Sequence, residues 1–141
     1  MKSKAKAIWQ GTIKEGEGHL TTTSDALQNV SYTFKTRFEG AAGTNPEELL
    51  GAAHAGCFSM ALSMILGQAG HTPESIETHA TVTLEEEGEG FAIKQVHLDV
   101  TANVPGASDA DFQEAAGKAK GGCPMSKVLN AEITMDAKLA S

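Results

Sequence analysis

The feature that most constrains the fold of this chain is a long uncharged segment near its middle. No Asp, Glu, Lys or Arg occurs between Leu49 and Pro73, and apolar side chains occupy nearly every face of a helix drawn through the segment. Such a helix has to be enclosed on all sides, which takes a sheet on one side and another helix or chain on the other. The segment also contains His54, four glycines and two serines. We therefore expect a buried central helix and no membrane span.

Signals that begin and end a helix flank this segment. Asn45 can cap the helix, Pro46 suits the first helical position, and a glutamate pair beginning at Glu47 favours the positive end of the helix dipole. Gly70 can take the left-handed conformation that commonly ends a helix. The sequence therefore predicts one helix from Pro46 to about Gln68.

Short alternating segments separated by glycine-rich turns surround the helix and read as strands. Two further helices are predicted, over residues 109–120 and from Cys123 to about Asn130. The order βββ-α-ββ-αα-β predicts an α+β fold, and 141 residues are enough for a single domain over 1–141. The six predicted strands cover residues 4–14, 18–23, 30–38, 75–86, 90–104 and 131–139.

The charge and the N-terminal sequence exclude some classes of function. The formal net charge is −7, which argues against a nucleic-acid partner because phosphate binding needs clustered Lys and Arg. The opening residues MKSKAKAIWQGTIK alternate charged and apolar side chains and contain no apolar core of a secretion signal. We therefore expect a cytoplasmic protein, in which permanent structural disulfides are rare.

The chain has only two cysteines, and both lie where thiol chemistry is possible. Ala55 and Gly56 precede Cys57 and leave room for a substrate, whereas Cys123 stands at a predicted helix start, where backbone N–H groups favour a negative sulfur. Together they suggest a nucleophile and its resolving partner. Each thiol also has a plainer interpretation, because buried cysteines often pack as small apolar side chains and a cysteine can occupy a cap position by chance.

His54 lies three residues before Cys57 and hence on the same helix face. A Cys–His nucleophile pair, as in hydrolytic enzymes, or half of a metal site can be built that way. Adding Cys123 gives only three candidate ligands, and neither CxxC nor HxxxH occurs. We therefore expect no metal and no cofactor.

Arg37 and Glu47 are charged residues in unremarkable positions, the end of a predicted strand and the first turn of a helix. Glu47 precedes Cys57 by ten residues, so helical rise separates them by about 15 Å. Its side chain cannot reach the thiol of its own helix. If Glu47 serves that thiol, it comes from a second copy of the chain, which predicts a homodimer as the active species.

Three segments carry a resemblance to a known family: TRFEG at 36–40, GTNPEELLGAAHAGCFSMALS at 43–63 and KAKGGCPMSKVLNAEI at 118–133. They closely resemble the OsmC branch of the OsmC/Ohr family, which comprises thiol-dependent peroxidases that reduce organic hydroperoxides. The similarity runs along the whole chain. It implies an intertwined homodimer, with sheets on the outside and a long central helix from each subunit in the middle.

The resemblance also implies roles for individual residues. Cys57 matches the peroxidatic cysteine and Cys123 the resolving one, while Arg37 and Glu47 match the pair that holds the thiolate and orients the peroxide. Choosing Glu47 over its neighbour Glu48 rests on this match. The implied partners are an organic hydroperoxide substrate, an external dithiol reductant and a second subunit, with no nucleic acid and no membrane.

Two other functions suit the same residues. In a redox sensor, the Cys57–Cys123 pair changes contacts with a partner and does not turn over. In a ligand-binding module, the thiols are vestigial and the protein holds a small hydrophobic molecule. For the peroxidase, an apolar surround predicts a preference for alkyl or lipid-like hydroperoxides over hydrogen peroxide. The residues expected to form that surround are Leu50, Phe58, Met60 and Phe38.

Overall fold

The chain folds into six strands and four helices, described over all of residues 1–141 by a computed structural model. Residues Met1–Leu49 and Leu50–Ser141 form two compact units, and a single domain over 1–141 stays a prediction. The elements are β1 (Ala5–Gln10), β2 (Glu17–Thr22), β3 (Val30–Tyr32), α1 (Phe34–Phe38), α2 (Pro46–Gln68), β4 (Ser75–Glu87), β5 (Gly90–Asn103), α3 (Asp109–Gly122), α4 (Pro124–Val128) and β6 (Glu132–Leu139). The α+β class is confirmed, with one more short helix than expected.

A three-stranded antiparallel sheet of order β1-β2-β3 forms most of the first unit. On its central strand Gly18 is paired with Trp9 on one side and Tyr32 on the other. The two aromatic rings lie 5.6 Å apart. A Cβ atom at Gly18 would lie 2.5 Å from Tyr32 and 2.7 Å from Trp9. The rings can therefore close over the central strand only because residue 18 is glycine.

The prediction of one strand over 30–38 is wrong in its second half. β3 ends at Tyr32, and α1 begins after Thr33. The Thr33 hydroxyl accepts a hydrogen bond from the Thr36 backbone N–H at 3.2 Å, and the Thr36 hydroxyl accepts one from the Thr33 N–H at 2.9 Å. This reciprocal capping outweighs the alternating pattern, because it satisfies the first backbone donors of a helix. Arg37 therefore lies on a helix and not on a strand.

The second unit contains a three-stranded sheet of order β4-β5-β6. β4 and β5 are antiparallel, whereas β5 and β6 are parallel and are joined by a crossover through α3 and α4. Alternate side chains of β5 are buried against α2 and α3, as a strand with one covered face requires. The largest members of this core are Phe58, Leu62, Leu66, Val96, Leu98, Val100, Val104 and Phe112.

The long helix α2 begins and ends where the sequence predicts. The Asn45 side chain accepts from the Glu48 backbone N–H at 2.8 Å, and Gly70 has a φ of +88°. The predicted enclosure is incomplete within one chain, since Met60 is 77% exposed and Met64 is 59% exposed. By length and composition alone the helix could cross a membrane, a test that core helices of soluble proteins also pass.

Candidate active site

Arg37 and Glu47 form a close ion pair inside the first unit. Arg37 Nε donates to both carboxylate oxygens of Glu47, at 3.1 and 3.2 Å, and Nη2 donates to Oε1 at 2.7 Å. The Glu47 side chain is 10% exposed and the Arg37 side chain 37%. None of these bonds uses Nη1, so the guanidinium keeps donors for a further acceptor. The two residues are paired as the family resemblance implies.

One asparagine explains why this pair forms. Asn45 caps α2 through its side-chain oxygen and donates from Nδ2 to the Thr36 carbonyl of α1 at 3.1 Å. Thr36 directly precedes Arg37, and Asn45 lies two residues before Glu47. This hydrogen bond therefore brings the two charged residues together. Sequence reasoning identified the capping role, but the second hydrogen bond depends on α1 being a helix.

An apolar cavity of about 210 Å³ lies beside Arg37 in the same unit. The guanidinium carbon of Arg37 is 5.4 Å from the centre of the Phe38 ring, and the Phe34 and Phe38 rings lie 4.9 Å apart. Of the four residues expected to form an apolar surround, only Phe38 lines this cavity. Its lining residues are Trp9, Ile13, Tyr32, Thr33, Phe34, Arg37 and Phe38.

The other expected apolar residues have different environments. Phe58 is fully buried in the core of the second unit, and Met60 is largely exposed. Leu50 is half-buried near the start of α2. Trp9, Tyr32 and Phe34 were missed because they come from β1, β3 and the start of α1, which share no sequence spacing with α2.

The two cysteines lie together in the second unit, as the pairing of a nucleophile with a resolving thiol requires. Both are free thiols, with Cys57 half-buried and Cys123 buried. The Cys123 side chain and the Met125 backbone N–H are the neighbours that act on the Cys57 thiol. α4 supplies that amide, because Cys123 caps α4 and Met125 lies in its first turn.

Burial raises the pKa of the Cys57 thiol above its ordinary value, and the neighbouring Cys123 side chain raises the pKa further. The Met125 N–H acts in the opposite direction, because it stabilises the thiolate. The raising effects dominate, so Cys57 needs a cation to become a nucleophile near neutral pH.

His54 is fully buried, and its position corrects one interpretation of the sequence. Its Nε2 is 2.8 Å from the Ser126 hydroxyl, while its Nδ1 has no hydrogen-bond partner. The ring therefore makes no hydrogen bond to Cys57, although the two residues share a helix. Burial lowers the pKa of His54, so the ring is neutral. Ser126 was missed by sequence reasoning, and only its position three residues after the cap Cys123 hints at a role.

A group of possible metal ligands lies elsewhere, on the surface of the second sheet. Liganding atoms of His97, Asp99 and Asp136 lie within 4.8 Å of one another. His97 is also bonded through Nδ1 to the Thr134 hydroxyl at 2.6 Å. These residues form a polar network across β5 and β6.

Comparison with known proteins places the chain in a family. The model of the family described as OsmC-like protein matches residues 38–138. The Peroxiredoxin OsmC of Escherichia coli (strain K12) is 54% identical over 138 residues, which cover 98% of this chain and 96% of that protein. The chain belongs to the OsmC family. The resemblance to the OsmC branch is thereby confirmed.

More distant relatives match most of the chain, and solved structures share its fold. The organic hydroperoxide resistance protein OhrB of Bacillus subtilis is 27% identical over 123 residues, covering 86% of this chain and 88% of that protein. The structure of an organic hydroperoxide resistance protein OsmC from Legionella pneumophila covers 100% of this chain and 98% of its own, with a TM-score of 0.73 and 22% identity. An OsmC-like protein from Mycoplasma pneumoniae gives a TM-score of 0.76 at 15% identity, covering 100% and 99% of the two chains. The predicted OsmC-like fold is confirmed.

Proposed function

We propose that this OsmC-family protein reduces organic hydroperoxides to alcohols through Cys57, with Cys123 as the resolving thiol. The observation that carries the proposal is the neighbouring pair of free thiols, in which the Cys123 side chain and a backbone N–H act on the Cys57 sulfur. The E. coli relative is a peroxiredoxin, which supports peroxide reduction as the class of reaction. The names of the organic hydroperoxide resistance relatives support the choice of substrate.

The first step is attack of the Cys57 thiolate on the distal peroxide oxygen. An S–O bond forms, the O–O bond breaks, and the alkoxide leaves as an alcohol after taking a proton. Burial opposes formation of the thiolate. We assign the compensating positive charge to Arg37, which Glu47 holds in a fixed orientation by charge-assisted hydrogen bonds.

The second step joins the two sulfurs. The Cys123 thiol condenses with the Cys57 sulfenic acid, which gives a disulfide and releases water. The closeness of the two side chains favours this step. An external dithiol then reduces the disulfide by thiol–disulfide exchange, and a cytoplasmic location, which stays a prediction, would supply one.

The cavity beside Arg37 supports an organic substrate. Its aromatic and aliphatic lining provides apolar surface for an alkyl or aryl group next to a cationic donor for the peroxide oxygens. Hydrogen peroxide has no group to occupy such a cavity. The preference for organic hydroperoxides therefore comes from binding energy that only the larger substrate can use.

We further propose that the active species is a homodimer. The exposed methionines of α2 leave an apolar helix face uncovered. Because ten residues of helix separate Glu47 from Cys57, we assign the Arg37–Glu47 pair of one subunit to the Cys57 of the other.

Met60→Glu is expected to convert the protein from dimers to monomers. A charge buried without a partner costs about 3 kcal/mol or more, which weakens the dimer at least about 100-fold. Light scattering coupled to size-exclusion chromatography measures the mass. Thr101→Glu, which adds the same charge at an exposed position of β5, should remain dimeric. A monomeric wild type, or a dimeric Met60→Glu, would contradict the proposed interface.

Turnover tests the proposed activity. The purified protein with excess dithiol should consume many equivalents of cumene hydroperoxide, and it should act at least about tenfold more slowly on hydrogen peroxide. Consumption of one equivalent followed by a stop would identify a redox sensor. If the thiols are confirmed as reduced and no peroxide is consumed at all, the remaining alternative is a ligand-binding module. Equal rates with the two peroxides would exclude the role assigned to the cavity.

A further inference from the structure

A continuous hydrogen-bonded chain joins the buried histidine of α2 to the resolving thiol. His54 Nε2 lies 2.8 Å from Ser126 Oγ, and Ser126 Oγ lies 3.2 Å from Cys123 Sγ. The Ser126 backbone N–H also donates to the same sulfur at 3.3 Å. Cys123 is in turn the neighbour whose side chain affects the Cys57 thiol. The chain therefore ends at the sulfur that has to lose its proton when the disulfide forms.

We propose that Ser126 and His54 form a proton relay for Cys123 during disulfide formation. The inference rests on the proposed function, because it concerns the second step of that reaction. Ser126 is a catalytic residue in this scheme, since its hydroxyl touches the reacting sulfur. His54 acts through Ser126 and is a positioning residue that also stores the proton.

The proton moves in a balanced sequence. The Cys123 thiol gives its proton to Ser126 Oγ while the Ser126 hydroxyl gives its own to His54 Nε2. The Cys123 sulfur attacks the sulfenic sulfur of Cys57, so that the S–S bond forms and the S–O bond breaks. Cys123 is oxidised and the Cys57 sulfur is reduced. The departing hydroxide receives the stored proton from His54 through the Ser126 hydroxyl and leaves as water.

The environment of His54 fits a proton store better than a structural support. A buried polar side chain with a purely structural role normally has its hydrogen-bonding atoms satisfied, whereas Nδ1 of His54 has no partner. With its proton on Nδ1, the neutral ring offers Nε2 as the acceptor for Ser126. Burial lowers the pKa of His54, so the ring accepts a proton briefly and releases it readily.

Two variants separate this relay from a packing role. Ser126→Ala removes the hydroxyl that touches sulfur. His54→Gln keeps a side chain able to hydrogen-bond to Ser126 but unable to take up a proton. Ser59→Ala is the matched control, because the Ser59 hydroxyl bonds to the Ala55 carbonyl and the Thr78 hydroxyl in the same unit, with no bond to Cys123.

The experiment mixes each reduced protein with one equivalent of cumene hydroperoxide and follows the two steps by rapid quenching and intact mass. Dimedone traps the Cys57 sulfenic acid, and loss of both thiols reports the disulfide. We expect Ser126→Ala and His54→Gln to form the sulfenic acid within about twofold of the wild-type rate. Their sulfenic acid should persist at least about tenfold longer, while Ser59→Ala should match the wild type in both steps.

Disulfide formation at the wild-type rate in both variants would overturn the relay and leave the proposed function intact. An equal slowing of both steps would also overturn it, because that pattern indicates a general structural defect. If the wild type forms neither sulfenic acid nor disulfide, the proposed function itself fails and the relay fails with it.

Discussion

Cys57→Ser is expected to abolish enzymatic peroxide reduction. Only the slow loss of peroxide seen with dithiol and no enzyme should remain. A serine hydroxyl is a weak nucleophile without an adjacent base, and no hydrogen bond joins residue 57 to the ring of His54. Serine also cannot form the sulfenic acid on which the second step depends. Loss of cumene hydroperoxide under steady-state conditions is the measurement.

Cys123→Ser is the matched control for this result. It removes the same atom from the other thiol and leaves the nucleophile in place. We expect one equivalent of peroxide to be consumed rapidly. The mass of the protein should rise by one oxygen atom or more, carried by Cys57, and no disulfide should form. Sustained turnover in Cys57→Ser would show that Cys57 is not the nucleophile.

Arg37→Gln is expected to lower the rate of the first step by about 100-fold or more, the usual cost of losing one donor that stabilises reacting charge. Burial already raises the pKa of Cys57. Arg37 is assigned to favour the charged thiolate, and its removal would raise that pKa further. The pH profile of sulfenic acid formation should therefore move to higher pH, and the reaction should be slower throughout the neutral range.

Lys35→Gln controls for the loss of a positive charge, because Lys35 is an exposed cation on the same short helix. It should leave both the rate and the pH profile unchanged. Glu47→Gln should slow the reaction less than Arg37→Gln, because it weakens the positioning of a guanidinium that is still present. Combining the two substitutions should cost little more than Arg37→Gln alone, since the residues act as a unit. An unshifted pH profile in Arg37→Gln would contradict the role of Arg37.

The limits of α2 could be predicted from the sequence because they depend on local chemistry. Asn45 and Gly70 act on backbone groups only a few residues away, and the structure has both in the predicted roles. The same kind of local chemistry also produced the main error. Thr33 and Thr36 cap a helix inside a segment whose alternation favours a strand. Two hydrogen bonds between residues three positions apart therefore outweighed a pattern of period two.

The sequence by itself determined the residue types of the site, the long central helix and, through three motifs, the family. Only the tertiary structure decided which side chains meet. His54 and Ser126 are 72 positions apart in the chain, and the Arg37 cavity combines residues of β1, β3 and α1. Local rules describe hydrogen bonds and periodicity within a few residues, whereas these contacts arise from the packing of whole elements that no spacing in the sequence records.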